Sequence, residues 1–256
     1  GAVAQQVLEQ REGVVAAPGG GGPPGADGVA HVGYPLDVAG QLHGAVVFDI
    51  GPGTTAGLQD ALRQVHWGSA WLIDHFRQWQ LQRREAELAR TALLNEVMAT
   101  AMQHAQLQPS ALAVANELAS RIQCDRVSVG FESAGQVTPL VMSNTATFDK
   151  RSDLVRWVGQ AMDEVLDLGV AVAFPAPAED ELGSLAHADS ARQLAVAAML
   201  SVPVRHEAQT VGVLSFERNL GPPFSDDERE LAAALGVMLG PVWALQRANE
   251  RGLVGR

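Results

Sequence analysis

The residues of this 256-residue chain best suited to chemistry are seven histidines, one cysteine and a few acidic or basic clusters. His31, His43, His66, His75, His104, His187 and His206 are scattered, with no HExxH or comparable His/carboxylate spacing, so no metal site is expected. Cys124 stands alone. It excludes an intramolecular disulfide, a CxxC redox pair and a cysteine-based zinc site, and it reads as a small buried hydrophobe. Gly19 to Gly22 followed by Pro23-Pro24 is a low-complexity linker, because no strand–glycine–helix context and no GK[ST] accompany it. No GxSxG elbow occurs. The runs Glu179-Asp180-Glu181 and Asp226-Asp227-Glu228 read as a solvated loop and as a helix N-terminus, where carboxylates oppose the dipole. Lys150-Arg151 is the one cationic pair of the 148–175 region, suited to an anionic ligand. These residues argue for neither catalysis nor a cofactor.

Composition narrows the class. Apolar residues make up 47% and charged residues 18%, enough for a packed core and too apolar for wholesale disorder. The net charge of −11 opposes non-specific nucleic-acid binding, which needs Lys and Arg to displace phosphate counterions. The longest uncharged apolar stretch, Leu231 to Leu245, is interrupted by Gly236, Gly240 and Pro241 and falls short of the ~20 residues of a membrane span, so it reads as a buried helix. No signal-peptide pattern precedes the first helical segment, and the chain reads as an excised, cytoplasmic fragment with neighbours at its ends.

The elements that must position these residues contain an internal repeat. Residues 34–49 (YPLDVAGQLHGAVVFD) and 202–217 (VPVRHEAQTVGVLSFE) align with Pro35 on Pro203, Gln41 on Gln209, Gly44 on Gly212 and Phe48 on Phe216. Each reads as two strands around a short polar turn. Downstream, Gly68 and Trp71 match Gly240 and Trp243; upstream, Gly13 pairs with Gly169 across a gap. The spacing predicts a duplicated module whose first copy begins in mid-helix and lacks its front strands, leaving a sheet edge open unless a helix or second chain covers it. A long helical region is expected from about Leu58 to Gln106, with Leu81 and Leu88 seven apart; it reads either as a dimerisation stripe or as a connecting helix packed on its own domains. Pro109 is expected to break it, with a second helix from Ser110 to Ile122. Val127, Val129 and Phe131 alternate with Ser128, Gly130 and Glu132 as a half-buried strand, and Pro139 marks an edge or bulge in the next. A helix from about Ser152 to Leu168 stops at Gly169; one helical turn is expected near His187; and Ser225 with Glu228 forms a capping box that opens a helix to about Asn249.

The order of these elements, the segments Ser201-Val202-Pro203-Val204 and Val211 to Glu217, and the helix start Phe224-Ser225-Asp226-Asp227-Glu228 resemble a GAF domain. The resemblance covers about 108–250 as a complete copy and about 1–82 as the rear half of another. It implies an α+β fold: an antiparallel sheet flanked by helices, joined by a connecting helix at 83–107 to an incomplete N-terminal copy, with a tail at 251–256. Phe148 to Asp167, Cys124 to Phe131 and Val65 to Leu72 are also similar to the cytoplasmic N-terminal region of haemolysin-D-like membrane fusion proteins. That similarity implies an inner-membrane transport part beyond the C-terminal end. Bilin-binding and methionine-sulfoxide-reducing members of the fold rely on cysteines that this chain lacks, and SNTATFDK misses the Asn-Lys start of the cyclic-nucleotide signature.

Together these readings predict a non-enzymatic regulatory module that dimerises and takes a small molecule between the sheet and the 148–175 region. The expected lining is Phe131, Met142, Phe148, Trp157 and Phe174, with Lys150, Arg151 and His187 as polar contacts. The competing reading is a purely structural assembly domain with a filled core and no ligand.

Overall fold

A computed structural model describes residues 1–16, 30–38, 40–51, 55–145, 147–149, 151–177 and 185–254; the side chains of 55–59, 61, 62, 65, 66, 69 and 252–254 are not among them. The chain divides into two compact units, Gly1–Ala89 and Arg90–Arg256, and the division falls inside one helix. The glycine run 19–22 and the acidic run 179–181 lie outside the described residues.

The first unit contains α1 (Ala2–Gln10), β1 (Val14–Ala16), β2 (Ala30–Val38), β3 (Gln41–Ile50) and the start of α2 (Thr55–Met102). Its sheet has the order β1-β2-β3 and is antiparallel throughout. Helix α1 lies on β2 and β3, close enough that a Cβ at Gly33 would stand 2.5 Å from Val7 Cγ2. It ends at Arg11 in the left-handed region (φ 56°), whose N–H bonds the Val7 carbonyl. Helix α2 meets β3 through Phe76, whose ring centroid is 4.7 Å from that of His43, and through Gln80 Nε2, 3.1 Å from His43 Nε2.

The second unit contains the end of α2, then α3 (Leu107–Arg121), β4 (Arg126–Ser133), β5 (Gln136–Met142), α4 (Asp153–Leu168), β6 (Val172–Phe174), α5 (Leu185–Leu194), β7 (Ala198–His206), β8 (Gln209–Arg218) and α6 (Asp226–Val254). Its sheet runs β5-β4-β8-β7-β6, all antiparallel. One face carries α3, α6 and the end of α2 over Val127, Val129, Leu200, Leu214 and Phe216. The other carries α4, packed through Val155, Val158, Met162 and Val165 against Val137 and Val213. Both faces are therefore covered. The reading of β4 as half-buried is corrected accordingly: Ser128 is fully buried.

Local chemistry explains the boundaries. Ser152 caps α4 by accepting the Val155 N–H, and Gly169 closes it in the left-handed region at φ 66°. The Glu228 N–H donates to Ser225 Oγ at 3.3 Å while the Ser225 N–H donates to Glu228 Oε2 at 2.8 Å, the two halves of a capping box. Pro109 does not end a helix. It sits in the first turn of α3, where its missing N–H has no intrahelical partner to lose. The single turn expected near His187 is a ten-residue helix, and α6 runs five residues beyond Asn249. By length and composition the Asp226–Arg251 part of α6 is apolar enough to cross a membrane. Its stripe Ala232, Leu235, Leu239 and Trp243 is buried in the second unit's core, with Gly236 and Gly240 against the backbone of β7.

The two hairpins share one register. In β2–β3, Ala30 faces Ile50 and Val38 faces Gln41, with a bulge between Leu36 and Asp37. In β7–β8, Ala198 faces Arg218 and His206 faces Gln209, with a bulge between Val204 and Arg205. A constant offset of 168 maps every pair of the first set, bulge included, onto the second. Ahead of the hairpins the offset is 158: the left-handed cap Arg11 and its acceptor Val7 map onto Gly169 and Val165, and β1 maps onto β6. The counterpart of Gly169 is therefore Arg11, not Gly13.

Candidate functional site

The candidate site is the layer between the second unit's sheet and α4–α5. Strand alternation builds its floor. Leu214 and Phe216 point to the α6 side, so Val213, Ser215 and Glu217 point to the α4 side. Ser128 and Gly130 share that side, since a Cβ at Gly130 would stand 2.6 Å from Met162 Sδ in α4. Ser128 faces Ser215 across β4–β8, and Ser215 faces Ser201 across β8–β7. Three buried serines thus form a row over adjacent strands ~4.8 Å apart. Ser201 Oγ donates to Ser215 Oγ at 2.9 Å, while Ser128 Oγ has no partner among the described residues. Glu217, in the next row, is fully buried; its Oε2 accepts from Arg126 Nε at 3.1 Å and from Arg126 Nη2, and its Oε1 has no partner.

The roof is held by a second carboxylate. Glu164 of α4 accepts the Ala186 N–H and the His187 N–H, each at 3.0 Å, and meets His187 Nδ1 at 2.6 Å. It fills the orphan donors at the start of α5 and orients the imidazole in one stroke. Burial works against the Glu164 charge, but the His187 bond and the two backbone donors outweigh it and hold its pKa below the usual value. His187 is fully buried. With Nδ1 bonded to the carboxylate, Nε2 is left as an unpartnered acceptor in the neutral ring. Ser190 Oγ donates to the Trp157 carbonyl at 2.8 Å and fastens α5 to α4 a second time.

The expected lining residues separate. Met142 is buried in the α4-side core and Phe148 packs against it. Phe174 lies half-buried on β6, paired with Met199. Trp157 is half-buried on α4 with the Arg156 guanidinium 5.0 Å from its ring centre, and Arg151 is exposed before α4 with its N–H on Asp149 Oδ1. Lys150 lies outside the described residues. Phe131 is a correction. Its position in β4 sends it to the opposite face, edge-on to Trp243 at 5.6 Å, so it cannot line a site under α4.

Ser128, Ser201, Ser215, Glu217 and Glu164 were missed. In sequence they are ordinary polar positions of alternating strands and of an amphipathic helix; only the strand order β4-β8-β7 brings the serines into a row. Cys124 is buried and burial pushes its thiol up to about 12, leaving no thiolate for chemistry. A cleft of about 620 Å³ on the outer side of α4 and α5 is lined by Asp163, Glu164, Asp167 and Asp189. Among the described residues no group of three or more His, Cys, Asp or Glu side chains is arranged to hold a metal ion.

A family model described as GAF domain matches residues 106–241, more than half of the chain. The chain belongs to the GAF family. Among solved structures, the GAF domain from an Acinetobacter phosphoenolpyruvate-protein phosphotransferase superposes with a TM-score of 0.51 at 14% identity, over 64% of this chain and 98% of that one. The A. aeolicus nlh2 GAF domain in an inactive state gives 0.47 at 15% identity over 63% and 99%. The free methionine-R-sulfoxide reductase of Neisseria meningitidis, in complex with its substrate, gives 0.48 at 12% identity over 64% and 93%. At 14% identity the likeness to the Acinetobacter domain is one of fold. No curated protein matches the sequence. GAF domains are generally regulatory modules.

Proposed function

We propose that the second unit is a non-enzymatic, cytoplasmic GAF sensor that binds a small molecule in the layer between its sheet and α4–α5. The observation that carries this reading is that three polar atoms are buried and unpartnered among the described residues: Ser128 Oγ and Glu217 Oε1 on the strands and His187 Nε2 on α5. Each such atom costs about 1–3 kcal/mol when left unpaired, and a ligand that donates to Glu217 and His187 recovers that cost. The ligand class is therefore a small polar molecule rich in N–H or O–H donors. The test is native mass spectrometry of the purified chain beside its Ser128→Ala and Glu217→Gln variants. Extra non-covalent mass on the parent, lost in the variants, supports the reading. A parent without added mass, whose melting point no donor-rich metabolite raises, overturns it.

The packed core under α4, where Val158, Met162 and Val165 are fully buried, favours the second reading of an assembly domain without ligand. In both readings the chain dimerises through α2. Leu81 and Leu88 are 55% and 70% exposed, and Trp67, two heptads before Leu81, is 75% exposed. Replacing both leucines by alanine is expected to convert a dimer to monomers in sedimentation; an unchanged mass refutes the stripe.

The first unit is, in this proposal, the rear half of a second GAF copy. Support comes from the shared register, the shared bulge and the equivalent left-handed caps of α1 and α4. The reading also keeps the output implied by the haemolysin-D-like resemblance, an inner-membrane transport or signalling part of a longer polypeptide. Ligand binding would act on it by shifting a two-state equilibrium, which requires different affinities for the two states.

A further inference from the structure

We infer that the free edge of β3 is a docking edge for a helix–strand element of the α3–β4 type, supplied by polypeptide ahead of Gly1. This rests on reading the first unit as a second copy of the hairpin module. In the second unit β8 has a neighbour on each side, β7 and β4; in the first, β3 pairs with β2 and no strand follows on its other edge among the described residues. The missing neighbour has a template within the same molecule. Strand β4 lies antiparallel along 212–217, and the 168 offset places its counterpart along Gly44 to Asp49.

Three observations on β3 fit that occupant. Gly212 must lack a Cβ because β4 comes so near that the added atom would stand 2.5 Å from the Gly130 carbonyl oxygen. Gly44 keeps the glycine at the matching position although no described atom lies within 4 Å of such a Cβ. Glu217 is fully buried under Arg126 of β4; its counterpart Asp49 holds His31 at 2.6 Å yet leaves 69% of its side chain exposed, room for a cation on the incoming strand. The edge itself carries no Lys, Arg or Pro, the residues that natural edge strands use to prevent pairing.

The sheet face points the same way. Leu214 and Phe216 are fully buried by the α3 and α6 layer, whereas their counterparts Val46 and Phe48 are only half-buried. Trp243 is fully buried, donating to Ser110 Oγ of α3 at 3.1 Å and packing on Phe131 of β4; its counterpart Trp71 is 67% exposed. Ser110 and Phe131 belong to two elements that have no counterpart among the described residues of the first unit. Supply from the same polypeptide follows from topology. The template element precedes α4 in the chain, and α1 is the counterpart of α4, so a short connection ahead of α1 closes the module with the least loop entropy.

The test grafts residues 107–158 ahead of Gly1, the counterpart of Gly159, and follows amide hydrogen exchange of residues 44–49 by mass spectrometry. A parallel arm adds a synthetic peptide of residues 124–143 to the unmodified chain. The outward amides of β3 are expected to exchange freely in the unmodified chain and at least about tenfold more slowly in the graft or with the peptide. Gly44→Val is expected to abolish that protection while leaving the unmodified chain's unfolding midpoint in place. Protection already present in the unmodified chain, as monomer or dimer, overturns the proposal, as does the absence of protection in both arms. Gly212→Ala separates the two levels of the argument. If it leaves the second unit's stability unchanged, the template itself fails. If it destabilises that unit while β3 stays unprotected, the module reading survives and the docking inference falls.

Discussion

Gly240 and Gly68 are aligned glycines with opposite predicted responses to the same substitution. A Cβ at Gly240 would lie 1.7 Å from the Arg205 carbonyl oxygen and 2.4 Å from its carbonyl carbon, both backbone atoms of β7. Real Cβ contacts do not fall below 3.0 Å, so Gly240→Ala must push α6 off β7 by more than an ångström. Overpacking of this kind costs ~1–3 kcal/mol, and a backbone obstacle places it near the top of that range. Alanine returns ~1 kcal/mol of helix propensity, leaving a net loss of about 2 kcal/mol, or about 4–8 °C in Tm for a unit of this size. At Gly68 no described atom lies within 4 Å, so only the propensity remains and Gly68→Ala is expected to stabilise by ~0.5–1 kcal/mol. Urea unfolding followed by circular dichroism, with the slope checked for constancy, reads both. A Gly240→Ala variant as stable as the parent would refute the close seating of α6 on β7, and with it the burial of Trp243 that the seating enforces.

Further outcomes follow from the same geometry. Ser128→Ala removes a buried, unpartnered hydroxyl and is expected to stabilise the ligand-free protein by ~1 kcal/mol in urea unfolding; a loss of that size would reveal a partner for Ser128 Oγ. Glu164 and Glu228 are both held below the usual carboxyl pKa. Burial opposes their charge, and the donors His187 for the first and Arg218 for the second outweigh it. Their contribution to stability is therefore present above the unfolded-state pKa of ~4.3 and lost as pH falls through the lower folded value. Asp163, raised by burial, acts with the opposite sign. Glu164→Gln should flatten the fall in unfolding free energy between pH 6 and pH 3, and an unchanged slope would exclude the Glu164–His187 contact as its source. Cys124, with its thiol near 12, is expected to ignore a thiol reagent at pH 8 in the folded chain and to react fully in urea; rapid native labelling would contradict its burial.

Much of the architecture was legible in the residues because it rests on local rules. Ser152 and Gly169 bound α4, and Ser225 with Glu228 opens α6, through backbone donors and acceptors that only those side chains or conformations satisfy nearby. The likeness of the two hairpins was legible too, because a bulge and a turn at matched places leave matched prolines and glycines in the sequence. The candidate site was not. Phe131 and Met142 are near in sequence and both apolar, and only the pleat of β4 and β5 sends one to the α6 side and the other to the α4 side.

The buried serine row and Glu217 were out of reach for a related reason. A polar residue alternating with apolar ones marks a solvent face when one side of a sheet is covered, and a buried polar floor when both are. Which case holds depends on whether α4 and α5 close over the sheet, a matter of long-range packing. Most elements, the capped ends of α4 and the capped start of α6 could be read from the residues, because hydrogen-bonding caps and side-chain periods act over a few positions. Which polar groups lost their water emerged only on folding, because desolvation is set by what packs against a residue from far along the chain.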